Sequence, residues 1–232
     1  MTSRSEIPGK RRIPADGPIL AIDAGGHACS AALWRTGHIL AHETEAISHG
    51  QAAALMPMIE RVMARAGIGY ASLARIAVAV GPGGFTGLRV AIATARGLGL
   101  AAGVPVVGIS SFQAAARIDG DERRRRFVLI DSRRDEPYLA ELDADLGLIG
   151  APRILGAGDA VALISDAAPA MVLGDGVAAL ELGFAGDVVV RPTAVDAIQV
   201  AALASAPDGR FDLPPFPVYL RPPDVTKPKP ES

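Results

Sequence analysis

Two segments of the chain share one pattern: an apolar run that stops at an aspartate, a bend, and a second apolar run. The first is PILAIDAGGHACSAALWR, with Asp23 at the bend, and the second is RFVLIDSRRDEPYLAELD, with Asp131. A brief apolar run bounded by turn residues reads as a buried strand. HILAHET follows the first segment, and Thr36-Gly37 ahead of it is a hairpin signal. Three strands joined this closely predict an antiparallel meander. A helix is then expected from about Ser48 to Ala66, because Leu55, Ile59, Val62, Met63 and Ala66 share one face. Pro57 inside it should clash near the carbonyl of Ala53 and kink it. RIAVAV is a strand, GPGGFTG a turn, the stretch from Gly87 to Ala102 a second helix, and PVVGI a further strand. The order is βββαβα.

A weaker copy follows Asp131. It has a helix near Ala157 to Ile164, strands at AMVLGDG and DVVV, and a helix in AVDAIQVAALASA. The predicted organisation is therefore a duplicated α/β unit, with a first half over 18–110 and a second over 111–224. A chain of 232 residues is long enough for both. Residues 1–17 are polar and basic and are expected to be a disordered lead-in rather than a secretory signal. The charge run DGDERRRR reads as a solvated linker between the halves, with contact to phosphate or tRNA by Arg123–Arg126 as its alternative. The proline-rich LPPFPVYLRPPDVTKPKPES should be extended, and disordered over 225–232.

Composition excludes little but narrows the chemistry. The net charge of −2 gives no bulk pull toward nucleic acid or membrane. The most apolar window, Leu88 to Ile109, is interrupted by Arg89, Arg96, glycines and Pro105, which argues against a membrane span. The single cysteine, Cys29, permits no internal disulfide and fits a reducing cytoplasm. His42 and His49 are too far apart to share a helix face as metal ligands, so no metal site is expected. Ser110-Ser111 lacks the glycines of a nucleophile elbow.

The two bends invite comparison with actin-like ATPases, which hold nucleotide phosphates between two such hairpins. Asp23 is well placed, and Arg133 in the second bend could meet an anion. These two are the candidates for a nucleotide or phosphate remnant. The first bend, however, offers Ala24 and two glycines, and the second, DSRRDE, has no glycine to let backbone approach a phosphate. Phosphoryl transfer needs both cradles. GPGGFTG is not a phosphate-binding P-loop, since the spacing is wrong and the lysine is missing. It reads as a tight strand-to-helix turn in which Thr86 caps the helix, with an anion attracted by the free amides of that N-terminus as the alternative.

The second helix is the stronger signal. Leu88, Ala91, Ile92, Ala95, Gly99 and Ala102 form one face. The opposite face, Val90, Ala93, Thr94, Gly97 and Ala101, is almost as apolar, and Arg89 and Arg96 mark its edge. A helix apolar all round is buried on both sides. The first helix turns Ala53, Ala54, Pro57, Arg61 and Ala64 outward. Candidate partner-binding residues are thus Ala53, Pro57, Arg61, Arg89, Val90, Ala93, Arg96, Gly97 and Ala101. The second half of the same chain covering this face is the alternative.

These stretches, together with ISHGQAAALMPMIERVMARAGI, LGDG and PVYLRPPD, occur in the order found in the TsaB (YeaZ) family, which the chain resembles from about Pro18 to Asp224. The resemblance implies an actin-like ATPase (ASKHA, ribonuclease-H-like) fold of two related βββαβα-type halves, the second reduced. It implies a non-catalytic scaffold and dimerisation subunit for N6-threonylcarbamoylation of the tRNA adenosine beside the anticodon, not an enzyme. The implied partners are the catalytic paralogue TsaD, bound through the helices near Ser48–Ala66 and Gly87–Ala102, TsaE in a larger complex, and a second copy when alone, with tRNA engaged indirectly. No intrinsic cofactor is implied, and ATP or ADP would sit at the interface of the assembled complex. The family usually has hydroxyl residues where this chain has Ala24 and Gly25, and its usual His-Ser pair is reversed here as Ser48-His49. The rival function is an actin-like small-molecule kinase or ATPase.

Overall fold

The computed structural model describes residues 16–47, 50–118, 124–179 and 183–221. Strands β1 (Ile19–Asp23), β2 (Ala28–Arg35) and β3 (His38–Ala46) form the meander expected from the sequence. Helix α1 (Gln51–Ala66), β4 (Arg75–Gly81), α2 (Phe85–Ala102) and β5 (Val106–Ser110) complete a sheet of order β3-β2-β1-β4-β5. A short helix α3 (Ser111–Ala116) leads to the second unit. That unit contains β6 (Arg125–Ile130), β7 (Tyr138–Leu142), β8 (Arg153–Ile154), α4 (Ala157–Asp166), β9 (Ala170–Leu173), a 3-10 turn (Asp175–Ala179) and β10 (Val188–Arg191). Helix α5 (Ala197–Ala204) follows.

The second sheet runs β10-β9-β6-β7-β8. Read from its other edge, this is the order of the first. In both, the first strand pairs antiparallel with the second and parallel with the fourth. This is the actin-like ATPase fold with two related halves. The second half is reduced: β8 has two residues, and a five-residue 3-10 turn stands where the first half has the 18-residue α2.

Side chains alternate between sheet faces, which gives each sheet two cores. On one face of the first sheet, Leu20, Ile22, Leu33, Ile76 and Val78 meet Leu55, Met58, Ile59 and Val62 of α1 and Ala91 and Ile92 of α2. On the other face, Ile19, Ala21, Trp34 and Ala77 meet Val200, Ala201 and Leu203 of α5. In the second sheet, Val128, Ile130, Ala140 and Leu142 take Phe112, Ala115 and Ala116 of α3, while Phe127, Leu129 and Val172 take Ala160 and Ile164 of α4. The two halves therefore exchange helices. The short helix after the first sheet packs on the second, and the last helix returns to the first.

Several expectations need correction. Helix α2 begins at Phe85, with Gly84 as its N-cap and no side-chain cap, so Thr86 lies inside the first turn rather than ahead of it. Gly84 is held instead by its own N–H, which donates to the carbonyl of Gly25 at 2.7 Å. Helix α1 starts at Gln51 after Gly50 in the left-handed region, and Ser48 and His49 lie outside the described residues. Pro57 falls on the exposed side of one continuous helix, where its missing N–H costs least. The charge run is not a solvated linker over its described part. Arg125 and Arg126 belong to β6; Arg126 is buried and donates to the carbonyls of Asp143 and Ala144. Arg125 pairs with Glu141, and Arg124 with Asp187. These pairings leave Arg124–Arg126 poorly disposed toward phosphate, and Arg123 lies outside the described residues, as do 1–15 and 222–232.

Candidate functional site

The paired bends come first, because they would make the phosphate site of an actin-like enzyme. Asp23 ends β1 with 1% of its surface exposed. Its Oδ1 accepts the N–H of Gly25, while Oδ2 has no hydrogen-bond partner among the described residues. Burial, with Asp196 and Asp175 nearby, pushes its carboxyl up to about 7. Burial also raises Asp175, whose Oδ1 accepts the N–H of Asp131 at 2.9 Å.

The two bends touch each other directly. Arg133, in the left-handed region, donates Nη2 to the carbonyl of Gly26 at 2.8 Å. The His27 ring and the Asp131 carboxylate meet at 2.8 Å. A second pair, His42 and Asp196, lies 3.0 Å apart, beside Ser30, whose hydroxyl accepts the N–H of Ala197 at 2.9 Å. Asp23 and Arg133 thus belong to the two facing bends, and Arg133 spans from the second to the first.

The glycines of GPGGFTG serve the same closure. A side chain at Gly87 would collide with the carbonyl oxygen of Ala24, and one at Gly83 would lie 2.8 Å from that of Gly25. At Gly25 itself it would meet Leu88 at 2.7 Å. The loop therefore packs backbone to backbone on the first bend and leaves the bend's own carbonyls engaged. LGDG does the equivalent in the second half, where a side chain at Gly174, φ 102°, would strike the carbonyl of Leu129. Of the polar groups at the bends, the N–H groups of Gly25, Asp131 and Arg133 each donate to a carboxylate, and the Ser30 hydroxyl accepts from Ala197. Among the described residues there is no cluster of three or more histidine, cysteine or acidic side chains able to hold a metal. Burial drives the Cys29 thiol up to about 11, which leaves it un-nucleophilic.

The second region is the outer surface of α1 and α2. Ala93, Gly97 and Ala101 are exposed, Val90 is half-buried, and Leu100 is 88% exposed. The described residues of the second half do not cover this face. A side chain at Gly97 would meet nothing within 4 Å. Ala53, Pro57 and Arg61 of α1 line a shallow groove of about 520 Å³ with Glu45, Ile47 and Gly50. Arg61 is neutralised there by Glu43, whose carboxyl it holds below the usual range.

Arg89 and Arg96 have a setting that no local pattern announced. The chain after α5 returns as an extended strap across the first half. Leu213 bridges to Gly108, and Val218 donates to the carbonyl of Val80 at 2.8 Å. Tyr219 of this strap accepts a hydrogen bond from Arg89 Nε at 2.8 Å and stacks near Phe85, whose ring lies 3.6 Å from the Arg89 guanidinium. Arg96 lies over the ring of Phe216 at 5.0 Å. The outer face of α2 is thus bordered by α1 on one side and by an arginine–aromatic ridge on the other.

Comparison with known proteins agrees with this architecture. A family model described as "TsaD: tRNA N6-adenosine threonylcarbamoyltransferase" matches residues 41–199. An uncharacterized protein of Mycobacterium tuberculosis is 31% identical over 89% of this chain and 93% of its own length. The Escherichia coli tRNA threonylcarbamoyladenosine biosynthesis protein TsaB is 37% identical over 131 residues. The solved structure of YeaZ from Pseudomonas aeruginosa superposes with a TM-score of 0.73 at 29% identity, covering 88% of this chain and 100% of that one.

The chain belongs to the TsaB (YeaZ) family. Its match to the Escherichia coli TsaB spans about half the length of that relative, 55% of each chain. A tRNA N6-adenosine threonylcarbamoyltransferase of Erythrobacter litoralis is 39% identical over 72 residues, which is 21% of that enzyme. This TsaB-family chain thus shares sequence with the transferase while its own cleft is closed. Among the described residues no helix is long and apolar enough to cross a membrane.

Proposed function

We propose that this chain is a non-catalytic scaffold and dimerisation subunit for N6-threonylcarbamoylation of the tRNA adenosine next to the anticodon. It acts by binding the catalytic paralogue TsaD through the outer face of α1 and α2. The observation that carries this reading is the exposed surface of small residues at Ala93, Gly97 and Ala101, beside the exposed Leu100, on a helix whose opposite side is packed in the core. Small side chains let another helix backbone approach closely, and apolar area left in water favours a partner. The closed cleft supports an accessory rather than enzymatic role. In this reading TsaE joins a larger complex, tRNA is engaged through the partners, ATP or ADP belongs to the assembled interface, and the chain works in the cytoplasm. The same face would serve a homodimer when the transferase is absent.

Calorimetric titration of the chain with the cognate threonylcarbamoyltransferase tests this. A complex is expected at micromolar protein, and Ala93→Asp or Gly97→Asp should weaken it at least a hundredfold by burying an unpaired carboxylate. A complex indifferent to both changes would sink the interface. The rival kinase or ATPase reading requires magnesium-dependent ATP turnover by the isolated chain, lost in Asp23→Asn.

A further inference from the structure

The strap over residues 211–221 packs Phe211, Leu213 and Leu220 on the cores, and it also places two aromatic rings against the only arginines on α2. Arg89 and Arg96 are seven residues apart, so at about 100° per residue they lie on one line along the helix. Both are exposed, and neither has a carboxylate partner among the described residues. Arg61 and Arg65 on α1, by contrast, are both neutralised by Glu43. The α2 rim therefore carries two uncompensated positive charges, restrained not by acids but by the ring of Phe216, the ring of Phe85 and the hydroxyl of Tyr219. An aromatic face fixes a guanidinium without cancelling its charge or using all of its donors. Phe216 is 57% exposed and Tyr219 38%, so burial of the rings themselves does not account for their placement.

We propose that Phe216 and Tyr219 are positioning residues that hold Arg89 and Arg96 as a cationic rim for carboxylates flanking an apolar helix of the partner. This rests on the reading that α1 and α2 dock the threonylcarbamoyltransferase. The strap then sets the orientation of docking: α1 closes one side of the seam and the charged rim selects the register on the other. A rim charge acts mainly on association and its salt dependence. A pre-held arginine loses less side-chain freedom on binding than a free one.

The test measures the affinity of the full chain for the cognate transferase between low and high salt. Arg89→Gln with Arg96→Gln should weaken binding about tenfold at low salt and flatten its salt dependence. Phe216→Ala with Tyr219→Ala should do the same to a similar extent, although both arginines remain. Phe216→Tyr, which keeps the ring, should restore Phe216→Ala to the wild-type salt dependence. The strap's backbone bonds to Gly108 and Val80 do not use the two rings, and unchanged thermal unfolding confirms that it stays in place. Aromatic variants that weaken binding with an unaltered salt slope, or that leave it unchanged, would overturn the proposal. So would arginine variants that spare the transferase but abolish binding of an anticodon stem-loop RNA, which would make the ridge a base-stacking platform. Failure of the docking reading itself is separately visible, because Ala93→Asp would then have no effect.

Discussion

The two sheets have the same strand order but very different outer surfaces. The first carries α1 and α2, helices of 16 and 18 residues; the second carries the ten-residue α4 and a 3-10 turn. The shared part is the strand–bend–strand unit with its aspartate, and in both halves a glycine motif packs on that bend. The difference lies outside it. The duplicated frame explains how the chain folds, and the enlarged helices of one half explain what it presents. In an enzyme of this architecture the two bends would need to stay apart around a nucleotide. Here they are joined by Arg133 and His27.

The sharpest way to break the comparison is through its matched glycines. Gly87→Ala and Gly174→Ala each drive a methyl into a backbone carbonyl, that of Ala24 and of Leu129 respectively. Backbone against backbone cannot relax cheaply, so each should cost more than about 4 kcal/mol and prevent or strongly destabilise folding, as read by thermal and urea unfolding. Equal damage at both sites would show that the halves share one device. Damage at one alone would end the equivalence.

Asp23 gives the next largest effect, in the first half only. A folded value of about 7 against the ordinary 3.8 means that the folded chain prefers the protonated acid. The stability this confers is complete below about pH 4 and is lost as pH rises through 7. The loss is on the order of 4 kcal/mol at pH 8. Asp23→Asn should remove that loss, raising the unfolding temperature at pH 8 and changing little at pH 4. An Asn variant less stable than the parent at pH 8 would mean that the carboxylate is needed there in its charged form.

Gly97→Ala tests the outer face against the inner one within α2. No atom crowds the new methyl, so helix propensity alone should act and stabilise by about 1 kcal/mol. The smallest effect is expected at the latch. His27→Ala or Arg133→Ala removes a partly exposed pair and should cost less than about 1 kcal/mol. Neither change should confer ATP binding by calorimetry, because GPGGFTG still occupies the first bend.

Much of this comparison was legible in the sequence. The meander, the duplicated aspartate bends and the apolar wheel of α2 follow from periodicities that neighbouring residues carry themselves. What escaped depends on partners distant in sequence. Thr86 looked like a cap because the true anchor of that turn is the carbonyl of Gly25, some sixty residues earlier. Arg125 and Arg126 looked like linker charges because Glu141 and the 143–144 carbonyls meet them only across the β6–β7 hairpin. Nothing local in α5 announces that it returns to the first sheet. Arg89 and Arg96 were visible as the edge of a seam, but the aromatic strap that holds them comes more than 100 residues later.

On the proposed function, this chain works as half of a larger assembly. Sedimentation of the chain, alone and mixed with its cognate threonylcarbamoyltransferase, measures that most directly. A one-to-one heterodimer is expected at micromolar concentration, dissociated by Gly97→Asp. Two proteins sedimenting independently, or a complex that Gly97→Asp leaves intact, would contradict it.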